Sequence, residues 1–289
     1  MGEFDRLPRT ADVGRPHLIS RRRLVRVAGA GAAAWAAGSW LSPLAAATTV
    51  QEALAQLLAG KTSVQSARVR LELPERFDYG NTVPLAVMVD SPMTVADYVR
   101  RVDVFAEGNP FPEVATFYFT PDRGRASVST RIRLNEGEQE VVAVAELSDG
   151  SAWVGRRAVQ VSISGCSAEA SVAVGYAMPR PEPRLKVPVD VRRSEIVEIK
   201  TMISHRMETG LRTDAQGNPI PRRIINRMRC AWDDHLIFAA DLSPAIAANA
   251  YLTFYMVARA SGALEFTWHE DGGAVYRATH PLAVVRRAI

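Results

Sequence analysis

Cysteine is nearly absent: Cys166 and Cys230 are the only two in 289 residues. That scarcity excludes a disulfide framework, a Cys-x-x-Cys redox motif and a Cys-x-x-Cys-His haem attachment. The chain also lacks a Gly-rich phosphate loop and a nucleophile-elbow run, which leaves no motif for nucleotide chemistry or a Ser/His/Asp hydrolase. An excess of positive charge is missing too, once its location is considered. Residues 1–47 hold seven arginines and three acids, so of 35 basic and 31 acidic residues 28 of each remain from position 48 onward. The net charge of +4 therefore resides in the first segment and gives no support to a nucleic-acid or anionic-membrane partner.

That first segment has the order of an export signal. Ser20-Arg21-Arg22-Arg23-Leu24-Val25 is followed by an Ala-rich, moderately apolar stretch through Leu41 and by Pro43-Leu44-Ala45-Ala46-Ala47. It predicts a twin-arginine signal over 1–47, with export of a folded protein to the periplasm and no stable membrane span.

The remaining chain reads as two β-rich halves. A short helix is expected from Thr49, capped by Thr48 or Thr49, with Val50, Leu54, Leu57 and Leu58 on one face and Gly60 at its end, covering one end of a sheet. Period-two segments follow at Val69–Leu73, Thr82–Val89, Val99–Phe105, Val114–Phe119, Ala126–Leu134, Val141–Leu147 and Trp153–Ile163. Seven short strands at this spacing predict an antiparallel sandwich over 48–166. Residues 167–186, with Ala, Ser and Pro179, Pro181 and Pro183, read as a linker. A second sandwich is expected over 187–289, from strands at Val189–Val191, Ile196–Ile203, Ile220–Ala231, Leu236–Ala240, Tyr251–Ala258, Leu264–Trp268 and Ala274–Thr279. The first half (48–185) carries 14 basic and 17 acidic residues, the second (186–289) 14 and 11, opposite charges that favour docking of one on the other.

Cys166 lies in Ser164-Gly165-Cys166-Ser167-Ala168, among small residues at a strand exit, where a mobile arm could present it. A thiol forms an exchangeable bond to another sulfur, but with a pKa of about 8.5 it is only slightly ionised at neutral pH, and Ser162–Ala168 contains no base. Activation is expected from partners. Cys230 alternates with Arg227 and Arg229 and shares the opposite face with Met228 and Trp232, so it reads as a small core residue, and a Cys166–Cys230 disulfide is not favoured. His205, Met207, His235 and His269 have side chains suited to copper but no ligand spacing, and they read as loop and rim residues. Phe117, Phe119, Phe254 and Phe266 sit at strand spacing and read as core. No metal is expected.

Longer runs carry a resemblance. Asn109-Pro110-Phe111-Pro112-Glu113-Val114-Ala115-Thr116-Phe117, Val128-Ser129-Thr130-Arg131-Ile132-Arg133-Leu134, Val142-Ala143-Val144-Ala145-Glu146 and Gly165-Cys166 resemble SoxY, the cysteine-bearing subunit of a periplasmic sulfur carrier. Ile199-Lys200-Thr201-Met202-Ile203-Ser204-His205-Arg206-Met207-Glu208-Thr209-Gly210, Asn218-Pro219-Ile220-Pro221-Arg222-Arg223-Ile224-Ile225-Asn226 and Pro244-Ala245-Ile246-Ala247-Ala248-Asn249 resemble its partner SoxZ. The resemblance implies an all-β protein of two immunoglobulin-like sandwiches. It implies that Cys166 carries thiosulfate-derived sulfur covalently, with no other cofactor. The implied partners are a c-type cytochrome, SoxAX, the hydrolase SoxB and the sulfane dehydrogenase SoxCD, which leaves this chain a carrier without catalytic residues. The family's arm is Gly-Gly-Cys-Gly-Gly. Here Ser164 replaces the first glycine, Ser167 and Ala168 replace the last two, and the arm runs on into the linker. The 20 residues Ser167–Lys186 could span up to roughly 70 Å when extended, which leaves a looped-out cysteine feasible. Fused chains of this type also accompany periplasmic quinoprotein dehydrogenases, which gives a second reading as an accessory carrier.

Overall fold

The computed structural model describes residues 49–61, 63–65, 68–121, 124–166 and 180–285. The expected export residues Ser20, Arg21 and Arg22, the arm residues Ser167 and Ala168, and most of the expected linker lie outside the described residues.

One helix, α1 (Val50–Leu58), begins at Thr49, whose side chain accepts from Glu52 N–H while the Glu52 carboxylate accepts from Thr49 N–H. This reciprocal cap satisfies two otherwise unpaired donors. Val50, Ala53 and Leu54 pack on Phe105, Val142, Val144, Ala152 and Val154. The helix thus covers the outer face of a sheet rather than its end.

The first half supplies β1 (Ser63–Gln65), β2 (Val69–Glu72), β3 (Arg76–Tyr79), β4 (Val83–Val89), β5 (Val99–Ala106), β6 (Glu113–Phe119), β7 (Ala126–Ile132), β8 (Gly137–Leu147) and β9 (Ala152–Ile163). The second supplies β10 (Pro183–Lys186), β11 (Asp190–Arg192), β12 (Ile196–Ile203), β13 (Ile225–Trp232), β14 (His235–Leu242), β15 (Tyr251–Val257), β16 (Gly262–Glu270) and β17 (Val275–Val285). Strand β10 pairs antiparallel with β12, so the last four residues of the expected linker belong to the second sheet. Pro183 is tolerated there because it opens an edge strand. Strand β13 starts at Ile225 and not at Ile220, since Pro221 cannot donate to a ladder. Pairing is antiparallel except for β1 and β3 on β9 and β11 on β17, which are parallel.

The two sandwiches join edge to edge in both layers. An eleven-stranded sheet runs β1-β9-β8-β5-β6-β14-β13-β16-β17-β11, with β3 as the eleventh strand paired beside β1 on β9, and a six-stranded sheet runs β10-β12-β15-β7-β4-β2. In the larger, β6 pairs with β14 from Phe119 opposite Phe238 to Ala115 opposite Leu242. In the smaller, Thr130 and Ser129 of β7 pair with Leu252 and Thr253 of β15. Edge pairing satisfies main-chain groups that separate sandwiches would leave open. Behind it, Phe238 stacks on Phe254 across the two layers (4.3 Å between ring centroids) and contacts Phe117 and Phe119 at 6.2 and 6.1 Å. All four phenylalanines are buried. Each contributes on the order of 2 kcal/mol of hydrophobic stabilisation. The halves are therefore docked within one chain through continuous sheets and a shared core, a closer union than net charge implied.

Candidate functional site

The site is built where β9 ends, beside the seam. Ile163 O accepts from Gly80 N–H (2.8 Å), Gly80 O from Leu134 N–H (2.7 Å), and Leu134 O from Gly165 N–H (2.8 Å). This interlacing brings two glycines into contact. A Cβ on Gly165 would lie 2.0 Å from the Gly80 carbonyl carbon and oxygen, and one on Gly80 would lie 2.1 Å from Leu134 O. Only glycine at both positions permits the approach.

The contact seats Cys166 inward. Its residue is 7% exposed, and its thiol donates to Asn109 Oδ1 at 3.4 Å. The small neighbours therefore allow close packing here, where the sequence suggested an open mobile arm. Asn109 is itself buried and fixed: Oδ1 also accepts from Asn135 N–H (2.9 Å) and Nδ2 donates to Arg133 O (2.9 Å). Ser164 Oγ donates to Asn135 Oδ1 (2.5 Å) and accepts from Cys166 N–H (3.3 Å). Of the arm residues singled out from sequence, Ser164 and Gly165 thus hold the cysteine in place.

Arg133 closes the site from the seam. Its Nη1 donates to Met207 O (2.7 Å), Pro244 O (3.0 Å) and Ile246 O (3.0 Å), and its Nη2 to Arg206 O (3.0 Å), all in the second half. Burial lowers its pKa, but a guanidinium stays charged. Burial also pushes the Cys166 thiol up to about 11, with the Arg133 charge opposing but not cancelling it. The seated thiol is therefore protonated at neutral pH.

The loop that grips Arg133 is anchored by a buried polar cluster. His205 Nδ1 accepts from Met207 N–H (2.9 Å), and Nε2 faces Glu270 Oε1 at 3.2 Å, which puts the ring proton on Nε2. Glu270 also accepts from Arg223 Nε and from Tyr276 Oη (2.5 Å). Met207 Sδ accepts from Ile225 N–H at 3.3 Å. His205 and Met207 are committed to loop geometry, while His235 lies exposed at the start of β14. Among the described residues no three His, Cys, Asp or Glu are grouped to hold a metal ion. Cys230 is fully buried between Phe238 and Phe266 on neighbouring strands, and it is not disulfide-linked to Cys166.

Burial raises the Glu270 pKa, but hydrogen bonds from Arg223, Tyr276 and His205 outweigh it and hold the carboxyl at about 2, below its ordinary 4.5. A depressed carboxyl stabilises the fold above its unfolded pKa and loses that contribution as pH falls through the folded value. Stability is thus expected to fall between about pH 4.5 and 2. The loss is on the order of 2 kcal/mol once solvent around Arg223, 67% exposed, is allowed for. Urea midpoints across that range check it, and Glu270→Gln should be less stable at pH 7 with a flatter acid limb.

Asn109, Arg133, Asn135 and Gly80 were not foreseen as site residues. Strand alternation would place Arg133 outward beside Arg131, but β7 ends at Ile132 and the chain turns it inward. The only signal was position: Asn109 and Arg133 both fall within the runs that resemble SoxY.

Comparison with known proteins gives two family matches. Residues 54–166 match the family of sulfur oxidation protein SoxY, and residues 185–281 that of sulphur oxidation protein SoxZ. Among solved structures, the sulfur carrier protein SoxY from Chlorobium limicola f thiosulfatophilum aligns at 26% identity and TM-score 0.34, covering 40% of this chain and 99% of that one. A superoxide reductase (neelaredoxin) from Ignicoccus hospitalis aligns at 19% identity and TM-score 0.30, covering 39% and 93%. No curated protein matches. Among the described residues no helix is long and apolar enough to cross a membrane.

Proposed function

This chain is a SoxY–SoxZ fusion, belonging to both sulfur-oxidation families, and we propose on that footing that it carries thiosulfate-derived sulfur covalently on Cys166 in the periplasm. The observation that supports this most is position: Cys166 is the last residue of the SoxY match, and it follows the final strand of the first half. It is seated by a glycine contact and a few hydrogen bonds, outside any strand ladder. Release therefore breaks little of the core.

Loading joins the thiol to thiosulfate: Cys–SH + S2O3²⁻ gives Cys–S–S–SO3⁻ + H⁺ + 2 e⁻, the electrons passing to a c-type cytochrome partner of the SoxAX kind. A SoxB-like hydrolase then cleaves the terminal S–S bond with water, leaving Cys–S–SH and HSO4⁻. The remaining sulfane sulfur would be oxidised by a SoxCD-like dehydrogenase. The chain's own residues hold, release and orient the sulfur and do not catalyse. Because the seated thiol is protonated, reaction belongs to the released arm, where the pKa returns toward its ordinary 9.0 and partner groups complete the ionisation. The second half, as SoxZ, contributes strands to both sheets and the carbonyls around Arg133.

The test is loading of the purified chain by thiosulfate and a c-type cytochrome. One thiosulfate and two electrons per chain are expected, and prior alkylation of Cys166 should block both. Cytochrome reduction that persists after that alkylation would refute the assignment.

A further inference from the structure

Arg133 is a buried cation, 7% exposed, whose hydrogen bonds end on neutral main-chain carbonyls. A charge removed from water is most stable beside an opposite charge. Glu208 lies near enough to act on it, yet Arg212 already claims that carboxylate through Nε (3.1 Å) and Nη2 (2.7 Å). Of the side chains acting on Arg133, Cys166 comes first, ahead of Glu208 and the like-charged Arg212. Cys166 is tied to this stretch of chain twice, through Asn109 to Arg133 O and through the neighbouring Gly165 N–H to Leu134 O. A bare thiol brings no charge to this position, whereas a thiosulfonate or persulfide adduct does.

We propose that the cradle reads the charge of its cargo: an anionic sulfur adduct on Cys166 docks more tightly than a neutral group, through the buried Arg133. Arg133 belongs to the first half and its carbonyl cage to residues 206–246 of the second, so docking of the charged adduct also tightens the union of the halves. The loaded carrier is then the closed form, and the unloaded arm is released more readily. This rests on the carrier reading for its biology, but not for its test.

Two adducts are installed chemically on the full chain in a Cys230→Ala background. Tetrathionate gives Cys–S–S–SO3⁻ with departure of thiosulfate, and methyl methanethiosulfonate gives neutral Cys–S–S–CH3 with departure of methanesulfinate. Thermal midpoints are then compared. The anionic adduct should melt about 2–4 °C above the neutral one. That separation should vanish in Arg133→Met and also in Gly165→Ala, where the arm cannot seat. The Gly165→Ala arm keeps the test decisive should Arg133→Met fail to fold, and bulk differences cancel in the cycle. Equal midpoints in the parent, or an unchanged separation in Gly165→Ala, would overturn the proposal. Failure of cells to load Cys166 would overturn the carrier reading alone, because these adducts need no partner enzyme.

Discussion

Gly165→Ala is expected to raise the alkylation rate of Cys166 at pH 7 by up to about 100-fold. A methyl group there would meet Gly80 at 2.0 Å and Asn81 N at 2.3 Å, main-chain atoms that cannot yield without disturbing the Leu134 and Ile163 pairing. The arm must therefore leave the cradle while the sheets stay intact. Seated, the thiol is held at about 11; free, it returns toward the ordinary 9.0. Two pKa units are a factor of about 100 in thiolate, the reactive form. The sign also sets the pH response of docking. A thiol whose seated pKa is raised favours the seated state below the free pKa, and that preference fades as pH rises beyond it. Iodoacetamide labelling followed by peptide mass, from pH 6.5 to 9.5, should show the largest ratio of variant to parent at the acid end. Equal rates would mean that the cradle does not govern the thiol. Gly80→Ala should act the same way, since its methyl would meet Leu134 O.

Cys166→Ser should abolish growth-linked thiosulfate oxidation, with a residual rate no higher than that of a strain lacking the chain. A hydroxyl cannot form the exchangeable sulfur–sulfur bond on which loading and transfer depend. The substitution costs the fold little, because the thiol makes a single weak hydrogen bond, to Asn109 at 3.4 Å, which a hydroxyl can also donate. The melting temperature should move by no more than about 2 °C. The phenotype is then attributable to the sulfur atom. Undiminished oxidation in this strain would favour an accessory role beside a quinoprotein dehydrogenase.

Much of the architecture was readable because strands announce themselves by alternation. Val83, Leu85, Val87 and Val89 point inward with Pro84, Ala86 and Met88 between them, and β4 is found where that pattern lies. The helix was legible from its apolar spacing, with Thr49 one of the two threonines offered as its cap. What alternation cannot encode is which edge meets which. Nothing in Ala115–Phe119 names Phe238–Leu242 as its neighbour, so the fusion of the two sandwiches into shared sheets emerged only in three dimensions. Short polar strands such as Arg76–Tyr79, paired in parallel with β9, carry too few apolar residues to signal themselves. The site divides along the same line. Cys166 was conspicuous by rarity, but its burial depends on Gly80, 86 positions earlier in the chain, and on Arg133 leaving the strand period. Such contacts are properties of the folded chain and not of any local run.

The central claim is that Cys166 bears sulfur during turnover. It is tested most directly by intact and peptide masses of the protein from thiosulfate-fed cells, before and after reductant. The account predicts a reductant-labile addition of sulfane sulfur or thiosulfonate on the Cys166 peptide alone, with Cys230 unmodified. An unmodified Cys166 in cells actively oxidising thiosulfate would contradict it.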